Sequence, residues 1–170
     1  NDTLIGTAPL ENYPTTIGLT PDGDFAFVAN SDFYGDRPKV NPVTIVHTPT
    51  MTTITNLNAC EMPHGSKVNH AGTVAYISCM HSDEILAIDV STLSVVHRIT
   101  LGRGHAMTGM DHPMPAATAG ASGPDMTKEC AATFVAVSAD DSRLFVACNY
   151  GNQLQVWDAK ARTLIKAIPT

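Results

Sequence analysis

The sequence predicts an all-β fold: a partial β-propeller of about three four-stranded blades plus one outermost strand of a preceding blade. Three observations predict it. Residues 14–30 align without gaps with residues 63–79 and with residues 132–148. Each copy has an apolar strand, a turn rich in Asp, Gly and Asn, and a second strand with an aromatic–aliphatic pair (Phe27-Val28, Tyr76-Ile77, Phe145-Val146), the pattern of a β-hairpin. The copies start 49 and 69 residues apart, and removing a 7-residue and a 27-residue insertion leaves 42 in both cases. A period of about 40–50 residues with four strands per unit is that of a propeller blade. Finally, residues 3–9 resemble residues 163–169, so the chain begins and ends at the same point of the repeat.

Taken in order, residues 3–10 form the outermost strand of a preceding blade, and residues 14–57 a first blade whose insertion, 31–43, is aromatic and charged. Residues 63–99 make a second blade, 103–127 an insertion loop, and 132–168 a third blade. The later strands align as well: Leu57, Ile99 and Ile168 fall at matching points. Asp22-Gly23, Asn69-His70 and Asp140-Asp141 occupy the hairpin turns, where short polar side chains and glycine favour tight bends. Blades bury their faces against neighbours, and rings close with about four to eight of them. Three blades therefore need further blades or another protein subunit as partner.

At 44% apolar and 15% charged residues the chain is too hydrophobic for disorder, yet no apolar run is long enough for a membrane span. A net charge of −6 without a Lys/Arg cluster argues against a nucleic-acid surface. The chain starts at Asn1 rather than Met, consistent with removal of a signal peptide, and Asn1-Asp2-Thr3 has the form of a glycosylation acceptor. There is no Cys-x-x-Cys-His motif for haem and no phosphate loop for a nucleotide.

Pro14, Ile17, Pro21-Asp22-Gly23 and Phe27-Val28-Ala29-Asn30 together resemble the YVTN family of β-propeller repeats, a group that is also similar to lactonase-type propellers. The resemblance covers nearly all of residues 3–170 outside the insertions. It departs at Cys79 and Cys148, which stand where the motif has Asn, and at the third copy, which lacks the leading Pro. It implies the fold and leaves function to the site.

Alternating strand direction places the loop before each first strand and the loop after each second strand on one face. Four of the seven His (64, 81, 105, 112) and six of the seven Met (62, 80, 107, 110, 114, 126) map there. Thioethers select Cu(I) and imidazole suits copper in either oxidation state. His105, Met107, Met110, His112 and Met114 are thus candidate copper ligands, with His64 and His81 beside them; the competing reading has the methionines packing on the blade tops. The position of His64 at the channel mouth resembles the histidine-lined copper centres of nitrous oxide reductase and thiocyanate dehydrogenase. His47, His70 and His97 receive no role, and no catalytic residue is assigned.

Cys60 and Cys79 are 19 residues apart and Cys130 and Cys148 are 18 apart, each pair bracketing a hairpin. Pairing about the turns places Cys79 opposite 62 or 63 and Cys148 opposite 133, with Cys60 and Cys130 close enough to curl back to disulfide distance. Disulfides Cys60–Cys79 and Cys130–Cys148 imply an extracytoplasmic setting, periplasmic, cell-surface or secreted, and each would stabilise its loop by about 3 kcal/mol. The competing reading makes Cys60, His64, Cys79 and His81 a Cys2His2 metal cluster. Two functions follow: an extracytoplasmic binding or assembly module with a copper-binding face, or part of an enzyme with its site at the channel mouth, either a copper oxidoreductase or a lactonase-like enzyme.

Overall fold

The computed structural model describes residues 2–35, 40–101 and 130–170. Asn1 and the whole 103–127 insertion, with His105, Met107, Met110, His112 and Met114, lie outside the described residues. Among the described residues, twelve strands form three antiparallel four-stranded sheets, each in simple sequential order. Blade 1 comprises β1 (Pro14–Leu19), β2 (Phe25–Asn30), β3 (Val40–His47) and β4 (Thr52–Glu61). Blade 2 comprises β5 (Pro63–Val68), β6 (Val74–Cys79), β7 (Glu84–Asp89) and β8 (Ser94–Thr100). Blade 3 comprises β9 (Ala132–Val137), β10 (Arg143–Cys148), β11 (Gln153–Asp158) and β12 (Leu164–Pro169). β4 runs to Glu61, past the residue 57 at which the sequence reading ends blade 1, because Val40 and Asn41 extend its pairing partner.

The first hairpin of each blade is built the same way. Gly23, Gly72 and Asp141 each donate a backbone N–H to a carbonyl three residues earlier, at Thr20, Asn69 and Ser138. All three have positive φ, +81°, +70° and +58°, a conformation open to glycine and tolerated by aspartate. At the other end, the register of each innermost strand slips at its second residue, Thr15, His64 and Thr133. Each slip follows a left-handed residue, Tyr13, Met62 or Ala131. The bulge moves the partner of Cys148 to Ala132 rather than 133, while Cys79 faces Pro63.

Two cores lie between the blades. Phe27, Val43 and Ile45 on the front of blade 1 meet Ala75, Ile77, Leu86 and Ile88 on the back of blade 2. Tyr76, Ile85, Ala87 and Ile99 on the front of blade 2 meet Leu144, Val146 and Trp157 on the back of blade 3. Period-two alternation lets each strand serve both faces. Residues 2–10 pair with no strand, and an outermost strand needs three inner strands of its own blade. Ala8 nevertheless packs on Ala26, Val28 and Val46, the repeat equivalents of the Ala75, Ile77 and Ile88 surface that Leu57 packs against in the next interface. The side chain of Thr53 donates to the Pro9 carbonyl at 2.6 Å.

Candidate channel-mouth site

The bulges that open β1 and β5 turn the second residue of each strand toward the following blade, as bulges re-aim side chains. In blade 1 that residue is Thr15, whose hydroxyl donates to the His64 carbonyl at 3.0 Å, joined there by the Thr16 hydroxyl. In blade 2 it is His64, whose Nδ1 stands 2.9 Å from the Thr133 carbonyl. A carbonyl oxygen only accepts, so in the neutral ring Nδ1 carries the proton and Nε2 keeps the lone pair. The Ser78 hydroxyl shares the Thr133 carbonyl at 2.9 Å, and the ring meets Phe134 edge to face at 5.3 Å. His64 thus fastens blade 2 to blade 3 at the point where Thr15 fastens blade 1 to blade 2.

Glycine is required beside it. A Cβ on Gly65 would lie 2.6 Å from Ser78 Oγ, 2.7 Å from the Thr133 carbonyl and 2.9 Å from Phe134 Cα, so the blades approach here backbone to backbone. Ser31 adds a further rivet, donating to the Pro63 carbonyl at 2.6 Å. These hydroxyl-to-carbonyl bonds occupy the free carbonyls of the inner strands, which would otherwise be buried unpaired at a cost. Sequence reasoning missed Thr15, Thr16, Ser31 and Ser78; their repeat alignment with His64 was the available signal only for Thr15.

Met62, His64, Met80 and His81 do lie at one end of blade 2, tied by backbone bonds from Met80 to Met62 at 3.0 Å and from His81 to Glu61 at 3.3 Å. Met62 is buried, while His81 is exposed. Among the described residues the one grouping of three metal-capable side chains is Cys60, Cys79 and Glu84. Its two sulfurs are bonded to each other, so the Cys2His2 cluster does not form.

Both disulfides are present, with Cα separations of 6.0 Å for Cys60–Cys79 and 4.4 Å for Cys130–Cys148. They are not copies of one another. Glu61 and Cys130 accept the equivalent backbone bonds, from His81 and Tyr150, which puts Cys60 one residue earlier in the repeat. Cys60 pairs opposite Asn41 within blade 1, so its bond to Cys79 crosses from one blade to the next. Cys130 lies two residues before the start of β9, and its bridge stays within blade 3. Asp83 organises the same region: its carboxylate receives the N–H groups of Cys130 and Ala131 at 3.1 and 2.9 Å, and its carbonyl that of Leu101 at 2.8 Å.

Beside the mouth, Tyr13, Tyr34 and Phe33 form a chain of edge-to-face contacts, with centroids 5.2 and 5.4 Å apart. All three rings are exposed. The 31–43 insertion accordingly brings aromatic surface to this face, as its composition suggests.

Fold and site together define a segment of a β-propeller with one disulfide between two blades and one within a blade. No family model matches the chain. The 6-phosphogluconolactonase of Yersinia enterocolitica serotype O:8 / biotype 1B is 29% identical over 89 residues, 52% of this chain and 26% of that protein. Among solved structures, Kuenenia stuttgartiensis hydrazine synthase superposes with a TM-score of 0.72 over 98% of this chain and 40% of that one, at 18% identity. The chain thus spans less than half the length of either protein, and the structural likeness carries the fold alone.

Proposed function

We propose that this chain serves as an extracytoplasmic binding and assembly module, the three-bladed part of a larger propeller. The observation that carries the reading is the front of blade 3. Phe145, Leu154, Val156 and Ile168 occupy the positions of Tyr76, Ile85, Ala87 and Ile99, which are buried against the next blade. Ile168 is 38% exposed where Ile99 is 4% exposed. A blade face of this composition is stable when covered, and its natural occupant is the back of another blade. The two disulfides support a compartment outside the cytoplasm, and none of the described helices is long and apolar enough to cross a membrane.

Sedimentation velocity tests this reading. The chain should self-associate through its open faces, and Leu154→Asp should suppress association without unfolding it. A chain that stays monomeric at every concentration would sink the proposal.

Copper is the specific ligand property proposed for this module. Its support is the donor chemistry of His105, Met107, Met110, His112 and Met114. Metal analysis of natively purified protein should find stoichiometric copper, lost on replacing the three methionines; metal-free protein would reject it. The second reading, an enzyme with its site at the channel mouth, is favoured by one observation: His64 is locked through Nδ1, so its Nε2 is left as a proton acceptor or ligand.

A further inference from the structure

The two inter-blade interfaces are built from the same repeat, yet they close differently at their outer, lower corner. In the interface between blades 1 and 2, Val90 and Leu93 from the β7–β8 turn pack against the core beside Phe25 and Ile45. The equivalent residues of the second interface are Ala159, Arg162, Val74 and Ala87. Leu93 and Arg162 even share the same left-handed backbone, with φ of +51° and +59°. Three smaller side chains and one cation thus replace four apolar fillers. What they leave is a cleft of about 360 Å³ between blades 2 and 3, within the lower range of small-molecule sites.

The cleft has an apolar floor of Val74, Ala87 and Ile99 and a polar rim of Tyr76, His97 and Arg162. None of these three side chains has a hydrogen-bond or ion-pair partner among the described residues. Asp89 also lines the cleft, and neither it nor Asp141 bonds to any of these three side chains. Asp89 Oδ1 accepts from Ser91 and Thr92, and Asp141 accepts from His70 and Ala71. Burial, with the negative field of Asp141 second, raises the Tyr76 phenol above its ordinary range, so at neutral pH it is a hydroxyl donor. Unspent donors around an apolar floor call for an acceptor-bearing ligand with an apolar body.

We propose that this cleft binds a small amphipathic carboxylate, its apolar body on Val74, Ala87 and Ile99 and its carboxylate facing Arg162, with Tyr76 and His97 as further polar contacts. Arginine is suited to the role because its planar fork matches a carboxylate. The site is distinct from the channel mouth and does not depend on which blades complete the ring.

The test uses 3-phenylpropanoate as probe and the fluorescence of Trp157, the single tryptophan of the chain, which sits in the same core as Tyr76 and Ile99. The 170-residue chain should give a saturable change. Arg162→Gln, and separately the neutral probe 3-phenylpropanamide, should each weaken binding about tenfold, the scale of one charge-assisted contact. Arg162→Leu, which restores the filler found in blade 2 at an exposed position, should abolish it, as should Ala87→Ile. Leu154→Asp should leave it unchanged, because that residue lies on the open face. No saturable change, wild-type binding by Arg162→Leu, equal affinity for acid and amide, or loss of binding in Leu154→Asp would each overturn the proposal.

Discussion

Ile85 on blade 2 and Leu154 on blade 3 stand at the same point of the repeat, each opposite an outer-strand isoleucine, Ile99 and Ile168. Ile85 is completely buried, and Leu154 is half-buried. Nothing in their own strands accounts for the difference. Blade 3 covers the first and no described residue covers the second as fully. An apolar strand face in a propeller is thus a statement about a neighbour, and its contribution to stability appears only when that neighbour is in place.

The largest expected effect uses this pair directly. Ile85→Ala should cost about 3 kcal/mol, as buried large-to-small replacements do, while Leu154→Ala should cost roughly a third of that. Urea unfolding of the two variants measures the gap; equal losses would mean that blade 3's front is covered in solution. The disulfides come next. Removing Cys60–Cys79 by double Ala replacement should cost about 3 kcal/mol from chain entropy and also loosen blade 1 from blade 2. Removing Cys130–Cys148 should leave the blade contacts intact. Hydrogen exchange at Phe27 and Ile77 separates the two outcomes.

A third variant probes the close approach at the mouth. Gly65→Ala should cost about 2 kcal/mol, because its Cβ meets backbone of blade 3 and overpacking there shifts a whole sheet. At the matching position in blade 3 stands Phe134, 53% exposed, and Phe134→Ala should cost less, about 1 kcal/mol for the lost edge-to-face contact with His64. Thermal melts decide it. The smallest effect is at acid pH. The hydroxyl of Ser138, then that of Ser142, hold the Asp140 carboxyl down to about 2 from its ordinary 3.8. A depressed carboxylate contributes stability above the ordinary value and loses it as pH falls through the depressed one. Asp140→Asn should therefore flatten the acid limb of stability between about pH 4 and pH 2, lowering stability slightly at neutral pH and leaving it unchanged below about pH 2.

Much of this was legible beforehand because a repeat displays its own alignment. Turn residues at Gly23 and Asp141, the aromatic–aliphatic pairs and the paired cysteines all follow from local rules that act over a few residues, whereas the second turn takes its left-handed residue at Gly72, beyond the Asn69-His70 read from the sequence. The bulge at Thr133 was not legible, and it moved the partner of Cys148 by one residue; a bulge is fixed by how two strands meet, which composition does not record. The one-residue offset of Cys60 was visible in the numbers 19 and 18, but its meaning, a bond between blades rather than within one, needed the pairing of β4. His97 was passed over because its place in an outer strand says nothing about the gap in front of it.

The sequence by itself determined the blade, since hairpin, period and strand alternation arise from backbone sterics and from apolar residues spaced two apart. Only the tertiary structure decided what each blade face meets: which carbonyl His64 holds, which sulfur Cys60 reaches across an interface, and which corner stays open where Arg162 replaces a leucine. Those outcomes depend on contacts between residues far apart in the chain, and the free energy of such contacts is set by packing of one sheet on another.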